Sequence, residues 1–508
     1  MKINQLKAGS LLSYVQMIVS VVINLVYTPV MLRLLGQSEY GLYNTVASTI
    51  SMLTIFSVSS NSVYVKFYAK YKSEGDEESI QKLNGMFLLL FSVIAVVAVL
   101  CGAFLSFNLE LVFSDGLTAG EYQIAKVLML LLTFNLAFSF PMGVFVNIIT
   151  AQERFFFLKL AQMGKTIVGP LVTLPLLLMG YRSIAMVAVT VGVSIVTDFL
   201  HLFYVFVILK QKFKFRGFEK GLLGKIFSFS YLIIIQVIVE QVNWNIDKIL
   251  LGRFQGTESV SVYSVGYSLF SYYMLISFAV SNVFAPRIYH LINIAKDKEE
   301  KKEMLTQLFT RVGRIQFLVL MLFATGLTFF GRPFIAFWAG GGYEESYYIM
   351  LILVWASSID LMQNVGIEIQ RGLNKQKFRT VLYSFMALIN LGMSIVLGQM
   401  YGAIGCAIGT AISLLVANGL IINVYYHKQC NLNIAFFWKS ILRASMGLIV
   451  PAVCGILLMK FIDFSSVWTL LACIVGYAGV YCISMWLIGM NSDEKEIIKK
   501  PLRKLLRR

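Results

Sequence analysis

The chain has 508 residues, of which 58% are hydrophobic and only 14% charged, and its mean hydropathy is +0.76. Soluble domains contain about 45–50% apolar and about 25% charged residues, and disordered chains are poorer still in apolar residues. The composition therefore excludes both classes and indicates a polytopic membrane protein, with a net charge of +17 still to be located.

Apolar stretches near the ~20 residues needed to cross a bilayer recur along the whole chain. The first follows Lys2 and Lys7 and is too long for a signal-peptide core, so we expect a retained first helix. The fourteen predicted spans are 10–32, 41–63, 83–106, 123–149, 158–179, 183–208, 224–251, 261–285, 313–331, 346–369, 378–400, 402–426, 438–461 and 466–490.

Basic residues are concentrated on one predicted side of the membrane. The termini and every second connecting segment hold 36 of the 43 Lys and Arg residues, and the rest of the chain holds 7. Because cytoplasmic loops carry an excess of Lys and Arg, this bias predicts cytoplasmic termini and an even number of spans. It also accounts for the net charge without a nucleic-acid partner. The basic end of the chain, Lys499–Arg508, fits either an amphipathic helix on anionic lipid or a solvated tail.

The sequence resembles itself at an offset of roughly 220 residues, which indicates an internal repeat. Leu34-Leu35-Gly36 corresponds to Leu250-Leu251-Gly252, and Gly180 corresponds to Gly402. Each half supplies six helices of the same orientation, so we expect two parallel six-helix repeats and two extra C-terminal helices. The predicted parts are an N-lobe with spans 1–6 (1–210), a basic cytoplasmic linker (211–223), a C-lobe with spans 7–12 (224–427), spans 13 and 14 (428–490) and a basic cytoplasmic tail (491–508).

Polar residues form stripes on two equivalent helices. The stripe of the first span consists of Ser20, Asn24, Tyr27 and Arg33. The stripe of the seventh span consists of Gln236, Glu240, Asn243 and Asp247, extended outwards by Lys248 and Arg253. Spacings of three and four residues place such side chains on one helical face. Since ionisable groups inside spans are expensive, we expect both faces to line a common cavity; the alternative is hydrogen bonding between helices.

Three further spans carry polar groups. In the fifth, Lys165 could face an anionic headgroup or extend to the interface. In the sixth, Asp198 and His201 are one turn apart and can satisfy each other. The tenth span carries a third stripe, composed of Asp360, Asn364, Glu368 and Arg371, the last at the cytoplasmic end. The six cysteines and three histidines are scattered, so we expect no metal site and no disulfide framework.

Several segments resemble the bacterial polysaccharide transporter family, which comprises flippases for lipid-linked oligosaccharides of O-antigen, capsule and related exopolysaccharides. The similar segments are Leu34–Gly41, Arg371–Lys377, Asn390-Leu391-Gly392 and Tyr401–Thr410. They also mark the wider superfamily that includes multidrug and toxin exporters and lipid II flippases. The resemblance spans nearly the whole chain.

The resemblance implies an all-α, V-shaped bundle of two lobes that alternates between inward-open and outward-open states. It implies an undecaprenyl-diphosphate-linked glycan as cargo, membrane lipids as surroundings, and glycosyltransferases and a polymerase of the same pathway as partners. It places the chain in the bacterial cytoplasmic membrane. No cofactor is expected beyond coupling to a proton or sodium gradient.

The polar stripes supply the candidate site residues for such a cargo. The candidates for the anionic headgroup are Arg33, Lys165, Lys248 and Arg253. The candidates for sugar contacts are Ser20, Asn24, Tyr27, Gln236, Asn243, Trp244 and Asn364. The candidates for ion coupling are Glu240, Asp247, Asp360 and Glu368.

Two other functions compete with a flippase. A cation-coupled multidrug exporter of the same superfamily fits the acidic groups, although such exporters usually have twelve spans. A membrane polymerase or glycosyltransferase needs a catalytic acid or a large external loop, and the predicted external loops are short. We therefore expect a transporter rather than an enzyme, with no catalytic residue.

Overall fold

The protein is built from helices that are joined by short turns. The computed structural model describes residues 5–56, 60–113, 117–218, 221–281, 283–497 and 499. Within these ranges it contains α-, 3₁₀- and π-helices and no β-strand. The predicted all-α class is confirmed. The basic end at Lys499–Arg508, for which the sequence allows a surface helix or a solvated tail, lies outside the described residues, apart from Lys499 itself.

The first half of the chain forms seven α-helices within the described ranges. They are α1 (Gln5–Leu35), α2 (Gln37–Met52), α3 (Ser60–Glu74), α4 (Glu77–Phe107), α5 (Ala119–Ala151), α6 (Phe155–Leu178) and α7 (Ser183–Phe203). A π-helical segment, Tyr204–Ile208, extends α7.

The second half forms eight described α-helices, and three more follow. The eight are α8 (Leu222–Phe254), α9 (Thr257–Ser281), α10 (Ala285–Ile294), α11 (Lys298–Trp338), α12 (Glu344–Met362), α13 (Val365–Gly372), α14 (Gln376–Leu414) and α15 (Ile422–Lys428). The last three are α16 (Ile434–Ser445), α17 (Ile449–Phe461) and α18 (Val467–Ser484).

Polar residues in the loops fix where several helices begin. Asp76 accepts a hydrogen bond from the Ser79 backbone N–H at the start of α4. Thr118 and Glu121 form a reciprocal capping box at the start of α5. Such caps satisfy backbone N–H groups that have no partner inside the helix. The charged loop residues therefore set the first turns of long apolar helices.

The backbone itself repeats along the chain. Left-handed residues at Gly36, Glu153, Gly180 and Lys210 recur at Gly256, Asn374, Gly402 and Asn431. Each pair is separated by about 220 residues, the offset of the sequence repeat. Because L-residues rarely adopt positive φ, four matching positions indicate the same turns in both halves. The predicted two repeats with extra C-terminal helices are confirmed in their element order, whereas the number of six spans in each repeat stays a prediction.

The number of membrane crossings differs from the predicted fourteen. Ten described helices are long and apolar enough to cross a bilayer, or eleven if the bent pair α9–α10 is one crossing. One of the ten, Gln376–Lys428, has 53 residues and contains Gly402 in a non-helical conformation (φ 59°, ψ −137°). At 1.5 Å per residue, a straight helix of that length would far exceed the ~30 Å hydrocarbon core. The count of fourteen is not confirmed and stays a prediction.

Two compact units divide the chain. The first contains residues 1–264 and 394–403, and the second contains 265–393 and 404–508. In the first, α4 packs along α5, α1 along α6, and α2 against α8. In the second, α11 packs against α12, α16 and α18. Helix α8, which opens the second repeat, thus belongs by its contacts to the first unit.

Candidate functional site

The acidic end of the α8 stripe is built around a buried carboxylate. Asp247 is fully buried, and its carboxylate accepts a hydrogen bond from the Tyr263 hydroxyl at 2.7 Å. Tyr263 comes from α9, which follows α8 directly. Lys248 is half-buried and interacts electrostatically with Asp247. Neighbouring residues on a helix point about 100° apart, so Asp247 and Lys248 carry opposite charges into different environments.

The rest of the α8 stripe lies nearer the surface of the first unit. Glu240 is exposed, whereas Gln236, Asn243 and Trp244 are half-buried. Beside them, the Gln241 amide donates to the Thr54 hydroxyl at 2.9 Å, and the Asn245 amide donates to Gln241 at 2.6 Å. Gln241 and Asn245 were not among the predicted site residues, although their four-residue spacing is visible in the sequence. The polar surface of α8 is therefore wider than predicted.

The α1 stripe belongs to the same unit as the α8 stripe. However, α1 packs along α6, whereas α8 packs against α2. The Asn24 amide donates to Ser20 at 3.4 Å, and Tyr27 forms a hydrogen bond with Thr173 of α6. Ser20, Asn24 and Tyr27 are half-buried, and Arg33 is exposed at the end of α1. The α1 side chains thus combine mutual hydrogen bonds with partial exposure.

A second group of polar residues lies near the start of α2 and the end of α8. The carboxylate of Glu39, which is buried, accepts the Ser183 backbone N–H at 2.9 Å and pairs with Arg182 at 3.3 Å. Arg253 is exposed and donates to the backbone oxygen of Leu111 at 2.9 Å. Glu39 was missed by sequence reasoning because it follows the first span in a segment assigned to a loop.

Lys165 lies on the wall of a largely apolar cavity of about 510 Å³ between α6 and α7. The side chain is exposed and interacts electrostatically with Asp198. Asp198 in turn accepts a hydrogen bond from Ser139 at 3.2 Å and lies 3.9 Å from the His201 ring. The predicted Asp198–His201 pair is thus part of a larger cluster.

In the second unit, the tenth-span stripe is divided by a break in the helix. Helix α12 ends at Met362, and α13 begins at Val365. Before the break, Asp360 is paired with Arg379 at 3.2 Å. After it, Glu368 is paired with Arg371 at 2.7 Å. Asn364 is buried at the break and donates to the Ser277 hydroxyl at 3.4 Å. The polar residues of this stripe therefore lie in three different environments and do not form one polar face.

Arg379 organises a polar cluster that the sequence did not predict. Its guanidinium donates to Asp360, to the Tyr383 hydroxyl at 2.6 Å and to the Tyr426 hydroxyl at 3.3 Å. Tyr383 extends the network, because its hydroxyl donates a hydrogen bond to Asn418. Arg379 begins an apolar span and was counted with the cytoplasmic charges, so its position gave no signal of these partners.

The family model described as "Polysaccharide biosynthesis protein" matches residues 6–292, which is more than half of the chain. No curated protein sequence matches significantly.

Solved structures of transporters share the fold. A lipid II flippase, MurJ, in an inward closed conformation is 17% identical with a TM-score of 0.69, covering 94% of this chain and 97% of that one. An inward-facing multidrug resistance transporter of the MATE family is 13% identical with a TM-score of 0.59, covering 82% and 99%. A transporter of the MOP superfamily from Pyrococcus furiosus is 14% identical with a TM-score of 0.55, covering 84% and 96%. At these identities the likeness establishes the fold alone, which is that of a multi-pass membrane protein.

Proposed function

The chain belongs to the polysaccharide biosynthesis protein family, and from this premise we propose that it is a flippase for lipid-linked oligosaccharides. It moves undecaprenyl-diphosphate-linked repeat units from the cytoplasmic to the outer leaflet by alternating access, for synthesis of a surface polysaccharide such as capsule, O-antigen or exopolysaccharide. It works in the bacterial cytoplasmic membrane with both termini inside. The family match carries this proposal, and the fold shared with a lipid II flippase supports it.

The diphosphate is the part of the cargo that most needs the protein, because an anion is costly in hydrocarbon. Lys248 and Arg253 on α8 and Arg33 on α1 are the cations proposed to accompany it. Lys248 is half-buried on α8, one turn beyond Trp244 and Asn245, which supports a role towards the cargo. Lys165 lies on the wall of the largely apolar cavity between α6 and α7, and is a further candidate for contact with the anionic headgroup.

The sugar moiety needs hydroxyl, amide and aromatic groups. On α8 these are Gln236, Asn243 and Trp244, all half-buried and beside the Gln241–Thr54 hydrogen bond. On α1 they are Ser20, Asn24 and Tyr27. Of the candidates for sugar contacts, Asn364 fits least well, because it is buried and its amide donates a hydrogen bond to Ser277.

The acidic candidates for proton or sodium coupling differ in their surroundings. Asp360 and Glu368 are each paired with an arginine, whereas Asp247 is buried beside a hydroxyl and Glu240 is exposed. Asp247 alone of the four is fully buried, and burial makes an ionised carboxylate costly unless a cation or a proton accompanies it. We therefore favour Asp247 as the coupling group.

The test is deletion of the gene in its host. Lipid-linked repeat units should accumulate in the cytoplasmic leaflet while their synthesis continues, and the wild-type gene should restore surface glycan. Lys248→Ala and Arg33→Ala should each reduce this restoration about tenfold or more, the loss expected when one charge-assisted contact is removed. Lys126→Ala, a basic residue on α5 outside the site, is the matched control.

Export of cationic compounds is the second candidate, favoured by the MATE-like fold and the buried Asp247. It predicts normal surface glycan in the deletion strain together with new sensitivity to cationic dyes. Normal glycan restoration by both Lys248→Ala and Arg33→Ala, at wild-type protein levels, would overturn the proposed cationic site.

Coupling through Asp247 predicts that Asp247→Asn abolishes the dependence of transport on the ion gradient.

A further inference from the structure

An arginine-rich cavity of about 770 Å³ lies at one end of the second unit. It is lined by residues of α10, α11, α16 and the segment that follows α18. Four arginines contribute to its wall, namely Arg287, Arg311, Arg314 and Arg443. None of them belongs to the stripes assigned to cargo transport.

One of these arginines is fixed and holds the wall together. Arg314 is buried, and its guanidinium donates to both oxygens of Glu494, at 2.6 and 2.9 Å. It also donates to the backbone oxygens of Ser440 and Gly489, at 2.6 and 2.9 Å. These contacts join α11 to α16 and to the segment that follows α18. The cavity wall is therefore held in place by hydrogen bonds and an ion pair.

The other three arginines keep their charges for a ligand. Arg287, Arg311 and Arg443 are exposed, and no carboxylate of the described chain lies within 4.0 Å of their guanidinium groups. The cavity wall carries one acidic side chain besides, Asp493. Three guanidinium groups against one carboxylate leave a positive cavity, and the planar guanidinium matches phosphate oxygens in two-point contacts.

The remaining wall is partly apolar and lies at the end of the hydrophobic helices. Leu291, Leu308, Phe436 and Ile488 line it between the arginines. The apolar stretch Val467–Gly489 ends at the cavity, and the highly charged first turns of α11 lie beyond it. Apolar walls next to phosphate-binding cations, at the end of membrane-spanning segments, match the headgroup region of a bilayer.

We propose that this cavity binds the phosphate headgroup of an anionic glycerophospholipid of the surrounding membrane, with Arg287, Arg311 and Arg443 as its ligands. The bound lipid joins α10, α11 and α16 across a gap that the described part of the chain leaves unfilled. The site is separate from the proposed transport stripes, and its test does not depend on the identity of the cargo.

The experiment uses the purified full-length protein in neutral detergent, titrated with phosphatidylglycerol, and reads both the apparent Tm and the lipid retained in native mass spectra. Wild type should gain stability and retain phosphatidylglycerol in preference to phosphatidylcholine. The double variant Arg311→Ala/Arg443→Ala should bind phosphatidylglycerol at least about tenfold more weakly, because two charge-assisted contacts are removed. Arg216→Ala, an exposed arginine of the first unit, should behave like wild type.

Several outcomes would overturn the proposal. Equal phosphatidylglycerol binding by wild type and the double variant would exclude these arginines as ligands. Equal stabilisation by inorganic phosphate alone would mean that the cavity takes a free anion and no lipid. Should the double variant not purify as a monodisperse protein, Arg287→Ala provides the same comparison, since Arg287 is exposed and makes no ion pair among the described residues.

Discussion

At the scale of single residues, several ionisable groups inside the described helices lie in ion pairs. Asp360 and Arg379 are paired and surrounded by tyrosine hydroxyls, and Arg314 is paired with Glu494. Because burial of a charge is costly without a partner, these groups stabilise the fold only as intact pairs. Glu240, in contrast, is exposed on α8.

Loss of one member of the Asp360–Arg379 pair should destabilise the protein. Arg379→Gln leaves Asp360 without its partner and should cost about 3 kcal/mol, since an uncompensated charge then stays largely buried. The double variant Asp360→Asn/Arg379→Gln should be less destabilised than the sum of the two single variants. Thermal unfolding in detergent measures these differences, with Lys377→Gln as an exposed neighbouring control. Additive effects would show that the pair contributes no coupling.

At the scale of helices, the structure places its turns where left-handed residues stand. Gly180 and Gly402 have φ of 89° and 59° and occupy equivalent positions of the two repeats. Glu153 and Asn374 form a second such pair, with φ of 58° and 56°. Asparagine tolerates this conformation, whereas a glutamate at positive φ is uncommon. The repeat has thus kept its backbone turns while the side chains at those turns changed.

Gly402 should be sensitive to substitution because its backbone conformation is open to glycine almost alone. With φ 59° and ψ −137° at the break inside α14, Gly402→Ala should destabilise the protein by about 1–3 kcal/mol. Gly392→Ala is the matched control, because Gly392 is helical and an added Cβ meets no atom within 4 Å. The control should stabilise by up to about 1 kcal/mol. A comparable loss of apparent Tm in both variants would contradict the role assigned to φ.

At the scale of the whole molecule, the distribution of basic residues predicts which side faces the cytoplasm. The termini and alternate loops carry 36 of the 43 Lys and Arg residues. The loop at Gly340–Gly342 connects α11 to α12 and is predicted to lie on the side poor in basic residues. The orientation follows from the positive-inside rule and is open to direct measurement.

Reporter fusions should place the termini and the predicted external loop on opposite sides. A green fluorescent protein fused behind Arg508 should fluoresce, since it folds in the cytoplasm. Alkaline phosphatase fused after Gly341 should be active, whereas the same reporter fused after Lys301 should be inactive, because this enzyme needs an oxidising compartment. An active phosphatase after Lys301 would reverse the proposed topology.

The sequence by itself determined the membrane class, the two repeats with their extra helices and the polar stripe of α8. These features depend on local composition and on helical period, which a single chain displays directly. It also identified the Gly402 boundary as the end of one predicted span and the start of another.

Only the tertiary structure decided which polar groups meet. Glu39 contacts Ser183, 144 positions away, and Arg314 contacts Glu494, 180 positions away. The break between α12 and α13 separates Asp360 from Glu368, which an unbroken helix would have aligned. Helical period gives the face on which a side chain lies. The partner of that face depends on how each helix is rotated and packed, and only the assembled bundle fixes this.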